Sequence, residues 1–178
     1  MKAKVNKSAR KHVFSKIYFD PFLILEAAEI IANASADYEI TIIGKTNILN
    51  SAQNKGQINT GIAIKDHLSK ITKAAMECDY FYNPEIGYIF ITGPLTSIFL
   101  NDLEGKTLGA ISAGPYGILR GLGISPKETT AHISALKKGG YLLIVRGYHP
   151  GLDTLGNLLG QRQKNTQANF LIETLNTN

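Results

Sequence analysis

Ser125-Pro126-Lys127-Glu128-Thr129-Thr130-Ala131-His132-Ile133-Ser134-Ala135-Leu136-Lys137-Lys138-Gly139-Gly140-Tyr141-Leu142-Leu143-Ile144-Val145 is the stretch that decides the fold class. Ser125 followed three residues later by Glu128 is a capping box, with Pro126 at a first-turn position that tolerates it. The helix opened there runs to Lys137-Lys138, whose positive charges suit a helix C-terminus. Gly139-Gly140 releases the chain, and Tyr141 to Val145 is apolar throughout, as in a buried strand. A capped helix feeding a buried strand predicts a mixed α and β domain.

Working outward, Ile86 to Thr92 is a second apolar run, stopped by Gly93-Pro94, and reads as a strand covered on both faces. Val13 to Phe19 is rich in Val, Phe, Ile and Tyr and reads as another strand. Asp20-Pro21 then supplies an N-cap and a first helical residue, and Leu23, Ala27, Ile30, Ile31 and Ala34 recur at helical spacing. Tyr38 to Ile43 is a strand closed by Gly44. Residues 45–60 are polar and read as a loop. Ile64, Leu68, Ile71, Ala75 and Cys78 continue a second amphipathic stripe, so Cys78 is expected to pack in a core. Past Pro150, Leu152, Leu155, Leu158 and Leu159 form one short stripe, and Ala168, Leu171, Ile172 and Leu175 another.

The order predicts an α+β fold of the ferredoxin-like β-α-β-β-α-β type, with an inserted helix, a Gly-rich segment and C-terminal helices. The sheet is expected to be antiparallel, with strands 13–19 and 86–92 central and the helices on one face. The expected organisation is a basic flexible arm at 1–11, the α+β domain at 12–147 and a helical appendage at 148–178.

Composition narrows the chemistry. One cysteine in 178 residues excludes an internal disulfide and a multi-cysteine metal site. His12, His67, His132 and His149 are scattered without ligand spacing, so no metal and no cofactor are expected. Residues 1–16 hold six of the nineteen basic residues and no acid, while thirteen bases face fourteen acids in the remainder. Lys2, Lys4, Lys7, Arg10 and Lys11 therefore define an arm suited to an anionic partner or to solubility alone. The N-terminus shows no signal-peptide pattern, and the longest uncharged run, 86–101, is too short and too broken to span a membrane. A cytoplasmic protein is expected.

Gly44-Lys45-Thr46 follows a strand, but a P-loop would need glycine where Glu39 stands, which excludes it. Residues 94–123 are punctuated by Gly105, Gly109, Gly114, Gly117, Gly121 and Gly123. Their spacing gives no dinucleotide fingerprint. Gly117 and Gly121 have a small-x-x-x-small spacing that predicts a helix seated closely on the sheet. If the segment forms a ligand groove instead, Gly114, Gly117, Ser125 at a helix N-terminus and His149 beyond the last strand are the residues to line it. His149 has no identifiable acid–base partner. Tyr80-Phe81-Tyr82 reads as an aromatic cluster of core or rim.

The run Ile89-Phe90-Ile91-Thr92-Gly93-Pro94-Leu95, the glycines of 105–117, Leu119 to Glu128 with Gly121-Leu122-Gly123-Ile124, and Lys138-Gly139-Gly140 before the last strand resemble the bacterial general-stress-protein family with a Gly-rich centre. The chain departs from that pattern in its helix near 60–80, its C-terminal stretch and its weaker glycine repetition. The resemblance implies a link to stress response and supplies no active site. Two classes of function follow: a non-catalytic stress-associated or protein-interaction module, expected to be a homo-oligomer, and a small-molecule-binding protein or enzyme using a groove beside the Gly-rich segment.

Overall fold

The computed structural model describes residues 11–35, 37–46, 60–148, 151, 152 and 154–160. Seven strands and five α-helices follow one another between residues 12 and 147, and a further helical stretch comes after them. They are β1 (His12–Tyr18), α1 (Pro21–Ala34), β2 (Glu39–Lys45), α2 (Thr60–Thr72), β3 (Cys78–Asn83), β4 (Gly87–Thr92), the single turn α3 (Thr96–Phe99), the two-residue strands β5 (Asp102–Leu103) and β6 (Lys106–Thr107), α4 (Gly114–Leu122), α5 (Pro126–Lys137) and β7 (Tyr141–Gly147). A 3-10 turn, Leu108–Ala110, precedes α4.

Five strands form one antiparallel sheet in the order β1-β7-β2-β4-β3. β2, β4 and β7 are the continuous apolar runs and lie inside the sheet, where both faces are covered. β1 was expected to be central but is an edge strand, paired only with β7. Its apolar residues are mostly half-buried, whereas those of β7 are almost wholly buried.

β3 corrects a second expectation. Thr72 ends α2, and Lys73 adopts a positive φ of 54° that turns the chain out of the helix. Cys78 therefore starts a strand instead of continuing a helical stripe. Tyr80-Phe81-Tyr82 alternates across the sheet, with Phe81 in one core and Tyr80 against the other.

Side chains of alternate strand positions build two cores. Ile24, Ala28 and Ile31 of α1 and Ile64 and Leu68 of α2 pack with Ile40, Ile42, Phe90, Leu143 and Val145. Residues 152 and 154–160 are helical, and Leu152, Leu155 and Leu159 join this core. Leu95, Phe99, Ile118, Leu119 and Leu136 cover the opposite face through Ile43, Ile89, Ile91, Leu142 and Ile144. The chain is thus a mixed α+β sandwich of three layers. The sheet has five strands where the ferredoxin-like arrangement has four, and its helices lie on both faces where that arrangement puts them on one. The segment β2-α2-β3-β4-α5-β7 does run β-α-β-β-α-β, but α2 and α5 lie on opposite faces, so the two crossovers differ in hand.

Local chemistry explains the boundaries. The Asp20 carboxylate accepts from the Phe22 backbone N–H at 2.8 Å and Pro21 is the first helical residue, as the sequence predicts. At Ser125 the capping box forms in full: Ser125 Oγ accepts from the Glu128 N–H, and the Ser125 N–H donates to the Glu128 carboxylate. Gly93 has φ +115°, and a Cβ there would lie 2.3 Å from the Ile40 carbonyl oxygen, so glycine is required where β4 turns away beside β2.

Asn83, at the β3–β4 turn, has no exposed surface. Its side-chain oxygen accepts from the N–H groups of Glu85 and Ile86 at 2.9 and 3.2 Å. Its Nδ2 donates to the carbonyls of Gly109 and Ile111, both at 2.9 Å. One amide fastens the hairpin to the Gly-rich segment. Asn83→Ala removes four hydrogen bonds and takes from the buried Gly109 carbonyl its side-chain donor, while the Ile111 carbonyl keeps the bond from Gly114 N–H, so we expect it to lower the unfolding free energy by about 3 kcal/mol in urea melts. A loss below about 0.5 kcal/mol would show that this amide does not anchor the segment.

Candidate functional site

The Gly-rich segment uses its glycines in two different ways. Gly109 is buried under β3, and a Cβ would meet the Phe81 ring at 2.8 Å and the Phe99 carbonyl oxygen at 3.1 Å. At Gly114, the first residue of α4, a Cβ would lie 1.7 Å from the Leu108 carbonyl oxygen. These two positions admit no side chain because neighbouring backbone and rings fill the space. Gly117 and Gly121 are the opposite case. Both are exposed, and nothing lies within 4 Å of where a Cβ would point. The sequence spacing predicted that these two would seat the helix on the sheet. Ile118 and Leu119 do that instead, and the glycine face points outward.

That outward face is the floor of an open groove of about 500 Å³. Ile98 of α3, Leu103 of the β5–β6 hairpin, Leu108, Ile111 and Leu122 form its walls. All ten lining residues are Gly, Ala, Ile or Leu, so the groove offers no side-chain hydrogen-bonding group. Leu103 is 53 % exposed, and Ile98 of the same lining is also open to solvent. A glycine inside a helix costs roughly 1 kcal/mol relative to alanine. Gly117 and Gly121 stand inside α4, and no contact among the described residues explains that cost there.

The structure scatters the other residues read from the sequence. Ser125 lies beyond the end of α4, and its capping partner Glu128 occupies the N-terminus of α5 with a carboxylate. The bonds from Ser125 hold that carboxyl below its ordinary range. An anion arriving there would meet a negative charge, so Ser125 serves α5 and not a phosphate. Gly114 and Gly117 share the groove; Ser125 does not line it. His149 and the arm residues Lys2, Lys4, Lys7 and Arg10 lie outside the described residues. Lys11 stands just before β1, where its amine pairs with Glu39 and lies 5.2 Å from the Tyr148 ring centroid. Lys45 of the rejected phosphate motif donates to the Lys137 carbonyl, and Gly44 is jammed against the Phe90 and Tyr141 rings.

One polar pair escaped the sequence reading. Ser15 Oγ of β1 and His132 Nε2 of α5 are 2.9 Å apart. Such a pair is the beginning of a nucleophile–base arrangement, which also needs a third group to orient the base. Burial lowers the His132 pKa, and Glu128 acts weakly in the other direction. Glu128 is committed to the Ser125 cap, His132 is only 8 % exposed, and its ring hydrogen-bonds to the serine. The pair is a buried polar link between an edge strand and α5. No side-chain spacing in the sequence could join residues 117 positions apart. Among the described residues no group of three or more His, Cys, Asp or Glu could hold a metal, and no helix is long and apolar enough to cross a membrane.

The two kinds of glycine separate in a thermal or chemical melt. Gly114→Ala and Gly109→Ala overpack and should lower stability by about 1–3 kcal/mol. Gly121→Ala in the dilute protein should raise it by up to about 1 kcal/mol. Equal losses at Gly109, Gly114 and Gly121 would contradict the assignment of the outward face.

No family model, no curated protein and no solved structure matches this chain. The functional reading therefore rests on the groove's own geometry.

Proposed function

We propose that the chain is a non-catalytic protein-interaction module and that the α4 groove is its docking surface. The observation that carries this reading is the pair Gly117 and Gly121, left open at the floor of an all-apolar groove. Glycines one turn apart let another backbone approach a helix closely. The surrounding Leu103 and Ile98 offer apolar area that an incoming helix would remove from water.

The alternative, a small-molecule or enzymatic site in the same groove, fits less well. Ligand sites combine apolar walls with a few polar groups that fix orientation, and these walls carry none. A stress-linked role rests on the resemblance over residues 12–146 alone. The anionic partner proposed for the basic arm would engage a separate part of the chain.

A photoreactive amino acid at position 121, expressed in cells, tests the reading. Ultraviolet light should join the chain to a polypeptide through position 121, and a probe at exposed Lys138 should not do so. Absence of any polypeptide adduct at 121, or equal adducts at both positions, would contradict a protein-docking groove.

A further inference from the structure

We infer that two copies of this chain join edge to edge through β1, the two strands antiparallel about a two-fold axis at Ser15. This surface is separate from the α4 groove, and the inference does not rest on the docking reading.

The phase of the sheet's hydrogen bonds identifies the open groups. Thr46 N–H donates to the Tyr88 carbonyl at 2.9 Å, so the bonded pairs between β2 and β4 fall on even-numbered residues. Along each strand the backbone groups turn alternately to one neighbour and the other. Carried through β2 and β7, this alternation turns the N–H and C=O groups of His12, Phe14, Lys16 and Tyr18 to β7, and those of Val13, Ser15 and Ile17 outward. Among the described residues no backbone hydrogen bond reaches the outward groups. The other edge, β3, is different. Its outward residues are Cys78, Tyr80 and Tyr82, and the middle N–H, that of Tyr80, donates to the Asp79 carboxylate at 2.7 Å. A strand arriving there would have to displace that carboxylate. One edge of the sheet is guarded and the other is open.

An open edge takes an extended strand. Two features select a second copy over a foreign strand. The first is closure: two copies use up both open edges, whereas an isolated foreign strand added to β1 presents a new edge of its own. The second is register. About Ser15 the seven residues of β1 overlap completely. Val13 meets Ile17 and Ser15 meets Ser15, and each of these pairs exchanges its N–H···O bonds. Phe14 meets Lys16 and His12 meets Tyr18, so no two like charges stand directly opposite. The two Lys16 residues are diagonal neighbours. Each amine lies 5.3 Å from its own Tyr18 ring centroid, so it leans away from the axis along its own sheet face. Beyond the strand ends, Lys11 of one copy faces the turn after β1 of the other, where Asp20 stands, with Lys138 one strand further in. Ser15, the smallest side chain of the strand, sits at the axis, and its bond to His132 holds it against its own α5.

Amide hydrogen exchange on the full chain tests this without any substitution. At about 100 micromolar the amides of Val13, Ser15 and Ile17 should be protected like the β1 amides that face β7, and sedimentation velocity should show dimers from about 10 micromolar upward. Val13→Pro removes one outward N–H and no bond to β7, so it should raise the dissociation constant at least about tenfold. With Cys78→Ser removing the native thiol, Ser15→Cys should form a disulfide dimer under mild oxidation. Tyr82→Cys, exposed on the guarded edge, should not. A monomer at the higher concentration with the three amides unprotected overturns the inference. A monomer with them protected puts another part of the same chain on the edge and overturns the second copy. A dimer that leaves the three amides unprotected, or that is indifferent to Val13→Pro, is built elsewhere and overturns it too. Should circular dichroism show Val13→Pro unfolded, the amide and disulfide results decide.

Discussion

The buried amide of Asn83 is the constraint on which the outer layer depends. Its two acceptor bonds shape the β3–β4 turn, and its two donor bonds hold the carbonyls of Gly109 and Ile111. Those carbonyls belong to the stretch that leads into α4. With them fixed, Gly109 lies under the Phe81 ring and Gly114 against Leu108, so the start of α4 has little freedom. A buried polar group satisfied on all sides costs little, whereas one left half-satisfied is expensive. The amide therefore specifies a single placement of the segment on the sheet.

That placement determines which face of α4 is turned to solvent. Ile118 and Leu119 enter the core below, so Gly117 and Gly121 necessarily point away from it. The short hairpin of β5 and β6 then raises Leu103 beside them, and α3 adds Ile98. The groove thus follows from the anchoring of its base, with the sheet as a rigid support. The same layer carries the link between His132 and Ser15, which ties α5 to the edge strand β1. Without such a tie β1 would be held chiefly by its ladder to β7.

Much of the secondary structure was legible because its causes are local. Asp20-Pro21 and the Ser125–Glu128 box each act within one turn, and β2, β4 and β7 are apolar runs that announce burial on both faces. Position in the sheet was legible for β4, expected inside and found there, but not for β1. β1 has the composition of a central strand, yet its partner is β7, more than 120 residues later, and only the completed order puts it at the edge. β3 was hidden because Cys78 falls on the helical repeat of Ile64, Leu68 and Ile71, and an edge strand with Asp79 and Tyr82 exposed looks half polar. The spacing of Gly117 and Gly121 correctly put them on one helical face. It gave no direction for that face, because direction depends on Asn83, Phe81 and Leu108, which are remote in sequence or act through the backbone.

The account's central claim is that the glycine face of α4 is a surface built for close approach by another chain. Backbone amide spectra of the isotopically labelled protein, recorded inside cells and in dilute buffer, test it most directly. The account predicts that signals of Gly117, Gly121, Ile98 and Leu103 shift or broaden inside cells, while those of Phe19, Phe22 and the residues of β3 keep their positions. Groove signals identical in the two conditions, or changes centred on the Phe19–Phe22 corner or on a sheet edge, would contradict it.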